Sequence, residues 1–293
     1  MTVDTLPAAA PPAATRAERP PSLVAASLRV FDLSLGQMLW SRRTIFLALV
    51  VGAPVALGII VRALTAWGFS GEVRLGGAAV VEGPSVFGLF IWLLYLRFII
   101  PVLGVFYGTS LIADEVEDKT ITYLFTRPVV RGAVVLGKYL AYLAATVFVV
   151  LPSVMALYFL VVPTGGGSLA AAFPALVKDL LLIGLGLACY GSLFAWVGAQ
   201  FKYPLVTGLV FAFGWEQGIL LIPGYLKRFT IAYYLQGLVP HAMPSDSALS
   251  VLQAVVHDAL PAASSLGWLG AIWAVFLILA ARAVARREYV LEQ

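Results

Sequence analysis

The residues best suited to specific chemistry lie in a polar segment, residues 114–138, between two long apolar blocks. Four carboxylates fall within five positions at its start, and Ile121, Leu124 and Phe125 follow at helical spacing. Pro128 then biases the residue before it toward an extended conformation. The pattern predicts a short helix that docks on another protein, with a solvated connecting loop as the alternative. The residues that this pattern itself singles out are Asp114, Glu115, Glu117, Asp118, Leu124, Arg127 and Pro128.

A second pattern in this segment imitates a nucleotide site. Gly132, Gly137 and Lys138 have the spacing G-x-x-x-x-G-K of a phosphate-binding loop, but Tyr139 stands where a Ser or Thr would bind Mg²⁺. The intervening residues are apolar, no strand pattern leads in, and an apolar helix pattern follows at once. We therefore expect no ATPase activity and no bound cofactor in this chain.

Other reactive side chains are few. His241 and His257 fall in one predicted loop near prolines, where surface or capping roles suit them better than metal binding or catalysis. Cys189 is the single cysteine and lies inside an apolar block, so neither a disulfide framework nor a cysteine metal site is predicted. We assign no catalytic and no metal-binding residue.

Charged residues inside apolar blocks are the remaining candidates. Arg97 lies midway along the second block, and an arginine there costs at least about 2.5–3.5 kcal/mol unless it faces protein or water. Glu216 in the fifth block is the obvious partner, and Arg62 replaces Arg97 in the alternative pair. We expect structural pairing, while an interfacial glutamate and direct substrate contact remain alternatives. Gly104 and Gly108 form a small-residue packing motif on the face that carries Arg97.

The elements that position these residues follow from composition. Hydrophobic residues make up 61% of the chain and charged residues 12%, which excludes an ordinary soluble domain. The apolar residues form blocks of the length that a helix needs to cross a bilayer, and backbone groups in hydrocarbon must bond internally. We predict an all-α integral membrane protein with six transmembrane helices: Thr44–Ala66, Val86–Ala113, Tyr139–Val162, Ala175–Ala199, Leu205–Ile222 and Ser264–Ala285.

The distribution of Lys and Arg predicts the orientation. Thirteen fall on the side that holds both termini and residues 114–138, and five on the other side. Both termini are therefore predicted to be cytoplasmic, and the net charge of +4 needs no nucleic-acid partner. Residues 1–22 are rich in Ala and Pro, resemble no cleaved signal and are predicted to be disordered. The membrane domain then covers residues 23–293.

Two regions flank the predicted spans. Apolar residues recur at near-helical spacing between Leu23 and Arg43, which predicts an amphipathic helix on the inner membrane surface or, alternatively, one packed on another subunit. The outer loop, residues 223–261, contains apolar stretches too short to span. They predict short re-entrant helices, with a compact loop as the alternative. Tyr233, Tyr234, Trp67 and Trp268 are predicted to form an outer aromatic belt.

The polar segment also carries a family resemblance. It resembles the loop after the second span in permease subunits of type-2 ATP-binding-cassette (ABC) transporters: an acidic cluster, a Thr, a Tyr-Leu pair, Thr-Arg-Pro, a further Arg and Gly-Lys. The sequence around Trp215-Glu216 and Pro223-Gly224 and the terminal residues 285–289 are similar more weakly. The resemblance extends from about Leu39 to the C-terminus.

The resemblance implies a function and partners. It implies a cytoplasmic coupling helix after the second span that docks on a separate ATPase. The docking residues that it implies are Asp114, Glu115, Glu117, Asp118, Thr120, Tyr123, Leu124, Arg127, Pro128 and Arg131. It also implies a second permease subunit and two copies of the ABC ATPase, which binds ATP and Mg²⁺. The chain would then export a substrate or do mechanical work in a bacterial inner membrane. An intramembrane lipid-modifying enzyme and an ion-coupled secondary transporter are the alternatives; the first shows no catalytic constellation and the second no internal repeat. The cargo is left open.

Overall fold

A computed structural model describes residues 22–39, 42–67, 83–117, 131–222, 224–241 and 260–286. Within these residues the chain is helical and contains no strand, as predicted. The predicted disordered tail lies outside the described residues except for Ser22, and so does His257.

Five helices in the described residues are long and apolar enough to cross a membrane. The helix α1 is Leu23–Leu39 and α2 is Arg42–Ala66. The long helix α3 runs from Gly83–Phe90 to Ser110–Glu117 with π-helical turns at Ile91–Ile99 and Gly104–Gly108. The remaining helices are α4 (Arg131–Val161), α5 (Leu169–Gln200), α6 (Pro204–Glu216), α7 (Ile231–Gln236) and α8 (Ala262–Arg286).

The fifth predicted span differs from the prediction. The apolar helix α6 ends at Glu216, and single 3₁₀ turns at Ile219–Leu221 and Tyr225–Phe229 follow it. At 1.5 Å per residue α6 is about 20 Å long, which is shorter than the roughly 30 Å hydrocarbon layer. The polar segment is also shorter than predicted, because α4 begins at Arg131 and includes Lys138.

The helices α3 and α5 form the centre of the bundle and run in the same direction. Gly104 lies against Tyr190 and Phe194, and Gly108 lies against Phe194. A Cβ atom at Gly104 would lie 2.9 Å from Tyr190 Cβ, and one at Gly108 would lie 2.8 Å from Phe194 Cβ. The predicted small-residue packing motif is therefore confirmed: the absence of side chains lets the two backbones approach.

The helix α4 runs antiparallel to α5 and is tied to it by tyrosines. The hydroxyls of Tyr139 and Tyr142 donate to the carbonyls of Ala188 and Leu187, at 2.9 and 3.1 Å. Near the other end of α4, Tyr158 donates to the carbonyl of Leu169. These bonds fix the register of α4 on α5 along most of its length.

The helix α1 packs on the start of α4 through small residues. Ala26 and Ser27 are buried, and Gly137 of α4 lies against the Ser27 carbonyl and Val30. Leu28 and Leu33 remain 58% and 69% exposed. The helix therefore turns small side chains to the protein and leaves large apolar ones uncovered, which fits the predicted contact with a membrane surface.

Part of the predicted outer loop is packed into the bundle. Every residue of α7 is buried, and Leu235 lies with Ile100 against Gly186. Tyr233 and Tyr234 are therefore buried rather than exposed in an aromatic belt, so this part of the prediction is wrong. Trp67 and Trp268 are exposed, as a belt requires.

Candidate functional site

The predicted docking segment is bracketed by two helices. Asp114, Glu115 and Glu117 belong to the last turns of α3, and Arg131 is the first residue of α4. The other predicted docking residues lie outside the described residues: Asp118, Thr120, Tyr123, Leu124, Arg127 and Pro128. Because Leu111 and Ile112 just before the acidic cluster are buried, the helix that presents the cluster is anchored in the bundle.

The near match to a phosphate-binding loop lies within a helix. Gly132, Gly137 and Lys138 are all part of α4, whereas a phosphate loop precedes its helix. A Cβ atom at Gly137 would lie 2.5 Å from the Ser27 carbonyl oxygen and 2.8 Å from Val30 Cβ. This glycine therefore has a packing role: it allows α1 to lie against α4.

Arg97 has a polar partner in Gln217, the residue that follows the end of α6. Its Nε donates to Gln217 Oε1 at 2.9 Å, and Gln217 Nε2 donates to the Arg97 carbonyl at 3.0 Å. Pro101, four residues on, has no backbone N–H to offer that carbonyl. The guanidinium carbon also lies 5.0 Å from the centroid of the Trp92 ring, a cation–π distance.

The Arg97 side chain lines an open groove of about 520 Å³ between α3 and α6. Phe98 of α3 and Phe213 of α6 lie on the same face, and their ring centroids are 6.1 Å apart. Both phenylalanines are partly exposed. An arginine is thus held by one amide beside aromatic rings and lines an open groove.

Glu216 is 1% exposed and accepts three hydrogen bonds. The Tyr190 hydroxyl donates to Oε2 at 2.9 Å, and the backbone N–H groups of Ile231 and Ala232 donate to Oε1 and Oε2, each at 3.0 Å. The carboxylate thereby caps the start of α7, where helical N–H groups lack partners within the helix.

The predicted ion pairs of Glu216 are wrong. Among the described side chains, neither Arg97 nor Arg62 forms an ion pair with it. Arg97 bonds to Gln217 instead, and Arg62 is exposed on α2. The physical reason is that backbone N–H groups and a tyrosine already satisfy the carboxylate, so it needs no cation. The predicted interfacial alternative does not describe a side chain buried to this extent.

A buried pair between Asp179 and His241 was missed. His241 Nε2 lies 2.7 Å from Asp179 Oδ2, and Asp179 is fully buried in α5. Among the described atoms, Oδ1 of Asp179 has no hydrogen-bond partner. The imidazole packs on Gly88 and lies edge-on to Phe87, with ring centroids 5.7 Å apart. The available signal was an acid at the start of an otherwise uncharged stretch of α5.

A second cavity is lined mainly by apolar side chains. This cavity of about 560 Å³ lies between α5, α6, α7 and α8, with Glu216 and Arg228 as the charged residues among its lining. Within the part of the chain that the structure describes, no group of three or more His, Cys, Asp and Glu could hold a metal ion. The described residues thus offer an apolar cavity and a groove between helices.

Comparison with known proteins agrees with this architecture. No curated protein matches the chain. The family model described as "ABC-2 family transporter protein" matches residues 22–289, from the start of α1 to just beyond the end of α8. The match covers nearly the whole chain and includes the predicted docking segment, and the chain therefore belongs to the ABC-2 transporter family.

Proposed function

We propose that this chain is the permease subunit of an ATP-driven exporter whose ATPase is a separate polypeptide. The observation that carries the proposal is the family match over residues 22–289 of a chain with five apolar helices long enough to span a membrane. ATP and Mg²⁺ bind to the ATPase, and this chain provides the pathway and the surface that receives the motion. The membrane is a bacterial inner membrane, and both termini are cytoplasmic.

The segment between α3 and α4 is the coupling element in this proposal. The acidic cluster continues the same helix that packs on α5 through Gly104 and Gly108. A displacement of the cluster by the ATPase is therefore passed directly into the centre of the bundle. On the other side, α4 begins at Arg131 and carries α1 on Gly137, so both flanking helices would move with the docked ATPase.

The Arg97 groove is the face proposed to meet the second permease subunit. In hydrocarbon a guanidinium must face protein or water, and only one amide side chain holds this one among the described groups. The flanking phenylalanines are partly exposed, which suits a contact surface. Pairing of two copies across this face would cover the arginine and enclose a pathway lined by α3 and α6.

The coupling role is tested by charge changes in the docking segment. We expect Glu117→Lys and Leu124→Asp to lower co-purification of the ATPase and transporter-stimulated ATP hydrolysis by about tenfold each, since a like-charge or desolvated contact in an interface costs more than about 1.4 kcal/mol. Binding of the ATPase and hydrolysis are measured on complexes purified from membranes.

The matched control is Lys178→Glu, a charge reversal at an exposed position at the other end of the bundle. It should leave both quantities unchanged. Unaltered ATPase binding and hydrolysis in both docking variants would remove the coupling role from this segment, whereas equal losses in the control would point to a general folding defect.

A further inference from the structure

A mainly apolar cavity lies beside the end of α8 that begins at Ala262. Its apolar wall combines Leu193 of α5, Phe211 of α6, and Trp268, Ile272 and Phe276 of α8. The three α8 residues recur every four positions and cover about 12 Å of the helix length. A volume of about 560 Å³ falls in the range of sites that hold small molecules.

The two charged residues that line the cavity differ in whether they have partners. Glu216 lines it, but Tyr190 and the two N–H groups at the start of α7 already satisfy that carboxylate. Arg228 is the only cation among the described lining residues, and it is exposed. It has no carboxylate partner within the described part of the chain. An anion is therefore the complement that this site lacks.

The position of Arg228 is fixed by its neighbours. Its carbonyl accepts from the Tyr234 hydroxyl at 2.8 Å, and its guanidinium carbon lies 4.9 Å from the centroid of the Tyr225 ring. Tyr234 in turn stacks on Trp268, with centroids 6.4 Å apart. Exposed tryptophan side chains such as Trp268 are enriched at the level of the lipid headgroups in membrane proteins. Ile272 and Phe276 continue the apolar wall from Trp268 along α8.

We propose that this cavity binds one acyl chain of an anionic membrane phospholipid whose phosphate contacts Arg228. The apolar wall excludes water from the chain, and the guanidinium offers two parallel N–H groups to phosphate oxygens. The occupant comes from the surrounding bilayer rather than from solution. The site goes beyond the proposed transport function and depends only on the chain lying in a membrane, so an absent ATPase partner would not affect it.

The test uses the full-length chain in nanodiscs of phosphatidylcholine with a minor fraction of phosphatidylglycerol that carries a photoreactive diazirine in one acyl chain. Labelled positions are mapped by mass spectrometry. Labelling should concentrate on Leu193, Ile272 and Phe276 compared with Ile45 and Leu49, two α2 residues that are 69% and 70% exposed and report ordinary lipid contact. Labelling of the cavity at or below the α2 level would overturn the proposal.

Two variants separate the headgroup from the chain. Arg228→Gln should lower labelling of the cavity by phosphatidylglycerol about fivefold, the equivalent of about 1 kcal/mol for one arginine near an anionic headgroup. The same substitution should not change labelling by a diacylglycerol with the same photoreactive chain. Lys178→Gln removes an exposed cation that does not line the cavity and should change neither. Equal labelling by both lipids in the unaltered chain would overturn the phosphate contact.

Filling the cavity gives an independent readout. Ile272→Trp places a larger side chain in the wall and should lower labelling by both lipids at Leu193 and Phe276 while leaving Ile45 and Leu49 unchanged. If that variant elutes as an aggregate, Leu193→Phe takes its place on the opposite wall. Undiminished labelling in a monodisperse filling variant would show that the acyl chain lies elsewhere.

Discussion

Glu216 is a carboxylate that an apolar bundle holds with neutral donors. Two of its three hydrogen bonds come from backbone N–H groups at the start of α7, and the third comes from Tyr190 in α5. Such bonds offset the cost of burying a charge, and they also give an acceptor to the N–H groups that lack a partner at the start of a helix. The side chain thus connects the end of α6 to α5 and α7.

Changes to this carboxylate or to its tyrosine donor should lower stability, and Glu216→Gln should cost at least as much as Tyr190→Phe. In Glu216→Gln the amide NH₂ group must face at least one of the donors, so a buried N–H loses its partner at about 1–3 kcal/mol. Tyr190→Phe removes one donor and should cost about 1 kcal/mol. Thermal unfolding of the detergent-purified chain measures both. A glutamine variant as stable as the unaltered chain would show that the carboxylate is not needed to cap α7.

The pair of Asp179 and His241 should behave as a coupled unit. The imidazole of His241 is the described partner of the fully buried Asp179 carboxyl, so removing either side chain takes that partner away from the other. We expect Asp179→Ala and His241→Ala each to destabilise the chain, with a coupling free energy of about 0.5–3 kcal/mol in a double-mutant cycle. Unfolding midpoints of the four variants give the cycle, and strictly additive effects would contradict a direct interaction.

The sequence allowed some of these residues to be identified, but not their partners. An arginine and a glutamate inside apolar blocks predicted buried polar side chains that need partners, and both have them. The nearest opposite charge was the natural choice for each. The actual partners are an amide next to Glu216 and backbone N–H groups about fifteen residues later, and only the fold back of residues 217–236 brings those groups close. The pair of Asp179 and His241 was missed for the same reason, because the two residues are far apart in sequence and only the fold brings them together.

At the level of elements, the contact between α3 and α5 was predictable from its glycines. We expect Gly108→Leu to destabilise the chain by about 1–3 kcal/mol, because the added side chain must displace Phe194 in a close-packed contact. Gly184→Leu is the matched control, since a side chain there meets nothing within 4 Å. Thermal unfolding of the two variants should separate them clearly. Similar midpoints for both would mean that the α3–α5 contact yields more easily than its geometry indicates.

The broken element between α5 and α8 was less predictable. Apolar block length identifies continuous helices well, and the other five predicted spans agree with the structure to within a few residues except at the start of α4 and α5. The residues after Glu216 mix tyrosines, cations and short apolar stretches, and their 3₁₀ turns have no periodicity long enough to recognise. Their burial depends on contacts with α3, α5 and α8 rather than on local pattern.

At the scale of the whole molecule, helix directions bear on the number of crossings. Cys189 Sγ lies 3.5 Å from the Leu269 carbonyl, and seven residues further along both helices Trp196 lies against Phe276 with centroids 5.5 Å apart. The helices α5 and α8 therefore run in the same direction. The chain between them must return across the bundle, and contacts along α3 follow this return: Gly208 lies against Thr109, Gln217 bonds to Arg97, and His241 lies against Gly88.

This return predicts six crossings, with the fifth made by α6, the 3₁₀ turns and α7 together. Single cysteines placed in a Cys189→Ala background test it with a membrane-impermeant thiol reagent in intact cells. We expect Ala170→Cys and Pro261→Cys to be labelled, because both lie at the predicted periplasmic end, and Lys202→Cys to be labelled only after permeabilisation. All three positions are exposed, so accessibility within the protein does not limit the reaction. Labelling of Lys202→Cys alone in intact cells would show that the orientation is the reverse of the predicted one. Labelling of only one of Ala170→Cys and Pro261→Cys would show that residues 201–261 do not make a complete crossing.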